Sequence, residues 1–408
     1  MFFSNYQYFK NKETFILTLL ILFSIFIRIP EIFQFGDLSL EHEWKILVNN
    51  LILHGTLSFR NLDGFLLPNL FMPPLYAFYL YFFSIFNLVE QNYILLILFS
   101  QILLSSISVA FFYKTNKFFF SQKISFYSAL VFSFFPLHMY ACSQISSITL
   151  QSFLLILFFY FFISFIKKNK TFSIIMFAAL GGLLILLRGE FILIFIFSLF
   201  YLFFIFKTSF KNILLIFLIA LITISPYLTR NILIFKQITI TKSFGYNLWK
   251  GNNPNSKVEG YEVVGNELQE KINEVPKDKF YQINLDKIFF NQAIENIKTE
   301  PMSYLILYFK KFTSFLFIDL KSSYPNYYHV LHYLPILLIG ATSLIGIIIS
   351  DKRSKELNYL ILIFFISVII FSCFFILPRY KLSLIPFQLI FTNILFVYIY
   401  KLFYRNNE

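Results

Sequence analysis

Cysteine is almost absent. Cys142 and Cys373 are the only two in 408 residues, and both stand inside apolar stretches. That leaves no disulfide framework to read, and the two side chains are expected to pack rather than to pair. The short strings that mark soluble chemistry are missing as well. There is no P-loop, no dinucleotide fingerprint, no serine-hydrolase elbow and no clean Asp-x-Asp, so a nucleotide-sugar mechanism on a Rossmann-like domain has no support. Of the five histidines, His329 and His332 would share a helical face, but no third ligand stands near them and no metal centre is expected there. The only sizeable polar stretch, 251–301, is too short for a catalytic domain of its own and reads as a lid or acceptor platform.

What is present is hydrocarbon. Hydrophobic residues make up 58% of the chain, with 60 Phe and 26 Tyr, and the mean hydropathy is +0.70. The Phe count tracks the Ile-, Lys- and Asn-rich base composition and carries no functional weight. Runs of about 20 apolar residues recur, which places the chain in the polytopic membrane class. Ten segments are expected to cross: 14–29, 93–112, 124–140, 146–166, 172–187, 191–206, 213–228, 330–349, 357–377 and 382–400. The first ends in Arg28-Ile29-Pro30-Glu31 rather than a small-residue cleavage site, so it reads as a retained helix and not a signal peptide.

The net charge of +13 points to orientation, not to nucleic acid. The lysines sit in short loops: Lys10/Lys12, Lys114/Lys117/Lys123, Lys167/Lys168/Lys170, Lys207/Lys211, Lys352/Arg353/Lys355 and Lys401/Arg405. With ten crossings all of these fall on one side, the cytoplasm by the positive-inside rule, together with both termini. The outer face then receives loops 30–92 and 229–329. Two further apolar segments are excluded as spans by the same parity. Segment 71–89 begins Met72-Pro73-Pro74 and reads as a surface or re-entrant helix, and 302–317 carries Lys310 and Lys311 and reads as lying in the outer interface.

Two polar strings stand beside this hydrocarbon. One is Pro226-Tyr227-Leu228-Thr229-Arg230-Asn231, and the other is Gly245-Tyr246-Asn247-Leu248-Trp249-Lys250-Gly251-Asn252-Asn253-Pro254. Together they resemble the P-W-x-x-R-N … G-x-N-L-W-x-G-N-N-P signature of bacterial membrane glycosyltransferases of the C superfamily, related to protein O-mannosyltransferases and aminoarabinose transferases. Weaker similarities add Pro73-Pro74-Leu75-Tyr76 and Arg379-Tyr380-Lys381 with Pro386. Tyr227 stands where the family has Trp, and Ser383 interrupts the last string.

The resemblance implies one all-α integral membrane domain over 1–408, a helical bundle of about ten spans with outer loops and juxtamembrane helices. It also implies transfer of a sugar from a polyprenyl-phosphate carrier to a glycan, lipid or protein acceptor at the outer face of a bacterial cytoplasmic membrane. A first-loop carboxylate would be the base. The family's Asp falls on Leu40, which leaves Glu41, Glu43 and Asp37 as competing candidates, with Glu41 favoured by alignment. Arg188, Arg230, Arg379 and Lys381 are the cations placed to meet the lipid phosphate, and Asn252 and Asn253 either hold the sugar or shape the loop. Arg28 stands at the same boundary. Some members of the family use a divalent cation and others do not. A lipid-linked-sugar flippase and a non-catalytic assembly subunit are the rival readings. The polar residues gather at one face and no inverted repeat is visible, which favours the enzyme.

Overall fold

The computed structural model describes residues 2–40, 42–62, 64–86, 90–319, 321, 330–350 and 353–405. In chain order these form α1 (Phe2–Phe35), α2 (His42–His54), the strands β1 (Ser58–Leu62) and β2 (Phe65–Pro68), α3 (Pro74–Ser84), α4 (Glu90–Asn116), α5 (Gln122–Ser133) and α6 (Pro136–Ala141). Then follow α7 (Ser147–Lys168), α8 (Thr171–Leu187), α9 (Phe191–Phe204), α10 (Phe210–Phe235), α11 (Phe244–Gly251), α12 (Asn266–Asn273), α13 (Tyr281–Thr299), α14 (Pro301–Leu316), α15 (Val330–Ile349), α16 (Lys355–Ser372) and α17 (Ile385–Arg405). The fold is the all-α polytopic bundle that the sequence implies, and the chain is a multi-pass membrane protein.

Among the described residues, seven helices are long and apolar enough to cross a bilayer: Lys12–Phe35, Asn92–Asn116, Ser147–Lys168, Phe210–Phe235, Leu331–Ile349, Lys355–Ser372 and Ile385–Phe403. Segments 172–187 and 191–206 form α8 and α9, apolar but only 17 and 14 residues long. Segment 124–140 is not one helix. It breaks at Phe134-Phe135, where Phe135 is extended and Pro136 opens α6, because the residue before a proline is driven out of the helical region. A second proline leaves its helix intact. Pro226 lies inside α10, and the carbonyl it deprives of a partner, that of Ile222, accepts from Ser225 Oγ at 2.9 Å.

The two doubtful segments also have physical explanations. α3 has 11 residues, about 16 Å of helix, too little to cross the hydrocarbon. α14 is not among the candidate spans; Met302, Leu305, Ile306 and Phe309 are exposed along one side while Lys311 is buried. The sequence reading had no strands. The structure adds one antiparallel hairpin, β1 with β2, in which Leu62 pairs with Phe65.

The segments 55–73 and 236–300 build a cap with its own apolar core, in which Trp249, Leu248 and Phe289 pack with Leu285, Leu268 and Leu67. α11 meets α13 closely enough that a Cβ on Gly245 would stand 2.0 Å from Asp286 O, and one on Gly251 would stand 2.4 Å from Phe374 O. These two contacts require glycine. Asp286 Oδ1 accepts from the amides of Gly245 and Tyr246 at 2.7 and 3.2 Å, capping α11 from a different helix.

Candidate active site

A cavity of about 850 Å³ opens between α8, α9, α10 and α16, and its walls include Leu193, Ile196, Phe217, Leu221, Ile224 and Ile370. Those walls are hydrocarbon. Its polar groups are few and include Arg188, Glu190, Thr239, Thr241, Ser243, Asn247 and Tyr380. Arg188 ends α8 in an extended conformation. Its Nε donates to Glu190 Oε1 at 2.7 Å and Nη1 donates to Gln151 Oε1 at 3.4 Å. The guanidinium lies over the rings of Tyr380 at 4.6 Å and Phe371 at 5.6 Å. An arginine so held keeps its charge at the edge of an apolar space without having to leave it.

A second group of charges stands beyond Tyr380. Arg379 is exposed, with its guanidinium 6.0 Å from the Tyr380 ring. Lys250 lies 4.6 Å from the Phe375 ring, and Phe375 and Tyr380 are 6.1 Å apart. The Lys250 ammonium pairs with Glu262. Burial, and then the charge of Arg379, bring its pKa down to about 8, while Glu43 works in the opposite direction. Glu43, Lys250 and Arg379 therefore share one electrostatic neighbourhood, joined to Arg188 through two aromatic rings.

The other expected site residues are held by the protein itself. Arg230 Nη1 donates to Asn69 O at 2.7 Å and to Asn231 Oδ1 at 2.8 Å, and Nη2 donates to Leu57 O at 3.2 Å, tying α10 to the segment between α2 and α3. The Lys381 ammonium donates to the carbonyls of Ser314, Phe315 and Phe317 at the end of α14, which uses the three donors an ammonium has. Asn252 Nδ2 donates to Leu248 O and Cys373 O, and its Oδ1 accepts from buried Lys311 at 3.1 Å. Asn253 Nδ2 donates to Trp249 O and Tyr261 O. Both asparagines thus shape the loop.

Asp37 is committed differently again. Its Oδ2 accepts from Ile145 N at 2.6 Å and its own amide donates to Ser143 O at 3.1 Å, which fixes the α6–α7 connection. Glu41 and His329 lie outside the described residues. Arg28 is wholly buried and bonded inside the bundle to Ser105 Oγ, Ser24 O, Ser133 Oγ and His138 Nδ1. Cys142 is buried as expected, but Cys373 is exposed at the cavity rather than packed away. Among the described residues no group of three His, Cys, Asp or Glu is placed to hold a metal ion. Lys250 and Glu190 carry charge at this site and were not singled out from the sequence. Lys250 occupies a variable position of the signature, and Glu190 stands outside it.

Residues 72–229 match the family model of dolichyl-phosphate-mannose-protein mannosyltransferases, a stretch that takes in Arg188 and Glu190 and three walls of the cavity. The match takes in well under half of the chain, and it makes that stretch similar to this family of membrane glycosyltransferases. Among solved structures it is similar to the Archaeoglobus fulgidus oligosaccharyltransferase tethered to an acceptor peptide, with 12% identity, 98% of this chain and 51% of that chain covered, and a TM-score of 0.57. The apo form of the same enzyme gives 11% identity, coverage of 97% and 51%, and a TM-score of 0.55. ArnT from Cupriavidus metallidurans bound to undecaprenyl phosphate gives 10% identity, coverage of 94% and 77%, and a TM-score of 0.42. At these identities the likeness to the archaeal enzyme is one of fold, and the chain spans about half of that enzyme's length. No curated protein matches the chain by sequence.

Proposed function

We propose that the protein transfers a sugar from a polyprenyl-phosphate carrier to an acceptor at the outer face of a bacterial cytoplasmic membrane. The observation that carries this reading is an apolar cavity of about 850 Å³ with Arg188 at its edge. It suits an isoprenoid tail with a phosphate at the rim. The family match supports the same donor class, since its members are described as using a dolichyl-phosphate sugar.

In the reaction, an acceptor oxygen or nitrogen bonds to the anomeric carbon. The bond from that carbon to the phosphate oxygen breaks, the lipid phosphate leaves with the electron pair, and the acceptor's proton passes to a carboxylate. Arg188, Arg379 and Lys250 would stabilise the growing charge on the phosphate. Of the first-loop acids that can be placed, Glu43 is within electrostatic reach of Lys250, whereas Asp37 already accepts a backbone amide, which supports Glu43 as the base. Glu41 is tested beside both. One solved relative of this fold was crystallised with zinc and sulfate. The described residues here do not assemble a three-ligand site, so no step is routed through a metal.

The experiment is direct. Full-length protein in proteoliposomes is supplied with polyprenyl-phosphate sugars labelled in the sugar, and label leaving the lipid fraction is followed with added cell-envelope acceptors. Transfer that needs Arg188 supports the reading. Labelled carrier that crosses the bilayer chemically unchanged would make the protein a flippase instead.

A further inference from the structure

The carboxylate beside Arg188 is placed to compete with the ligand that Arg188 is proposed to bind. Glu190 follows Arg188 by two residues, at the turn from α8 to α9, and the two side chains are 18% and 29% exposed for Arg188 and Glu190 respectively. Both line the cavity. The Nε donor faces Glu190 and an Nη1 donor faces Gln151, so a phosphate drawing on the full fork of the guanidinium must displace Glu190 or share with it. A purely local ion pair would need no place on the wall of a lipid-sized cavity.

We propose that Glu190 is an exchangeable counter-ion, displaced from Arg188 when the carrier phosphate binds and returning to expel the spent carrier. This rests on the reading of the cavity as the lipid-carrier site. The chemistry separates donor from product. A sugar-bearing carrier phosphate is a diester with a single negative charge. Transfer leaves a monoester, which carries about −1.5 to −2 charges at pH 7 because its second pKa is about 6. The carboxylate of Glu190 therefore repels the product more than the donor. At about 5 Å, with the effective dielectric of a protein boundary, the extra charge is worth about 10- to 100-fold in affinity. Glu190 thus makes the site selective for loaded over spent carrier, and without it Arg188 retains its product.

The test compares wild type, Glu190→Gln and Glu190→Asp as full-length protein in proteoliposomes, with undecaprenyl phosphate as the inhibitor and labelled donor as the substrate. Glu190→Gln is expected to tighten inhibition by undecaprenyl phosphate about tenfold or more. Donor KM should fall by less, and kcat should fall because release slows. The difference from wild type should shrink below pH 6 as the monoester gains its second proton, and Glu190→Asp, which keeps the charge, should follow wild type. Weaker inhibition in Glu190→Gln would mean that the carboxylate merely orients Arg188, and equal tightening of donor and product would remove the selectivity. Either result overturns the inference and leaves the carrier reading standing. A wild type insensitive to undecaprenyl phosphate would overturn the carrier reading and this inference with it.

Discussion

Lys250 offers the sharpest pH test of the proposed site. Its pKa is brought down to about 8, first by burial and then by Arg379. For a lysine the charged form lies below the pKa, so an ammonium that stabilises the leaving phosphate is present at neutral pH and lost as the pH rises. With a pKa of about 8, about 90% of the protein carries that charge at pH 7 and about 10% at pH 9. If transfer depends on it, kcat/KM should drop close to tenfold across that interval. Lys250→Arg removes the titration, since a guanidinium stays charged throughout, so its profile should be flat from pH 7 to 9. Its level should be lower, because a planar fork does not reproduce a point charge seated 4.6 Å from the Phe375 ring. Lys250→Met should be flat and lower still, by about 10²-fold from the wild-type plateau. The assay is label transfer in proteoliposomes buffered in steps of half a unit, with intrinsic fluorescence as a check on folding. A wild-type profile that stays level to pH 9, or a Lys250→Met variant at wild-type rate, would remove Lys250 from the reaction.

Other expectations follow from specific contacts. Arg28→Met leaves His138 Nδ1, Ser105 and Ser133 without their buried donor. Thermal unfolding in detergent should show a loss of about 1–3 kcal/mol, partly recovered in Arg28→Met/His138→Leu, where the polar partner is removed as well. Glu43→Gln should lower transfer about 10²-fold or more with donor binding retained, while Asp37→Asn keeps an oxygen for Ile145 N and should lose less; the reverse order, or full activity in Glu41→Gln, Glu43→Gln and Asp37→Asn alike, would undo the base assignment. In a Cys373→Ser background, Asn255→Cys should react with an impermeant thiol reagent added outside the cell and Lys168→Cys should not. The opposite pattern would invert the proposed orientation.

The bundle was readable because two independent signals agree along the chain. Apolar runs mark the helices, and lysine clusters mark alternate loops. Parity alone kept 71–89 out of the crossing set, and the structure gives it only the 11 residues of α3. The break between α5 and α6 was also written in the sequence, at Pro136, but hydropathy averages over a proline. The cap was less legible. Its core joins Leu67 to Leu285 and Phe289, residues far apart in sequence with no periodic pattern between them. The cap that Asp286 places on α11 is tertiary, so no local string announces it.

The signature strings were found easily and say less about chemistry than their polarity suggests. Gly245 and Gly251 are needed for close backbone approach, and Asn231, Asn252 and Asn253 donate to backbone carbonyls. Arg230 does the same across to the segment between α2 and α3. A buried carbonyl without a donor is costly, so each of these positions admits few residue types, and that is what makes the pattern recognisable. Lys250 is the opposite case. It sits one residue before Gly251, at a position the pattern leaves open, and its surroundings are charges supplied by other elements: Glu43 of α2, Glu262 of the cap and Arg379 of the α16–α17 connection. On the proposed mechanism these scaffold residues set where the loop lies and the open position sets what meets the phosphate. On that mechanism a motif read by its fixed letters leads to the loop, and the charge proposed to meet the phosphate stands on a letter the motif does not fix.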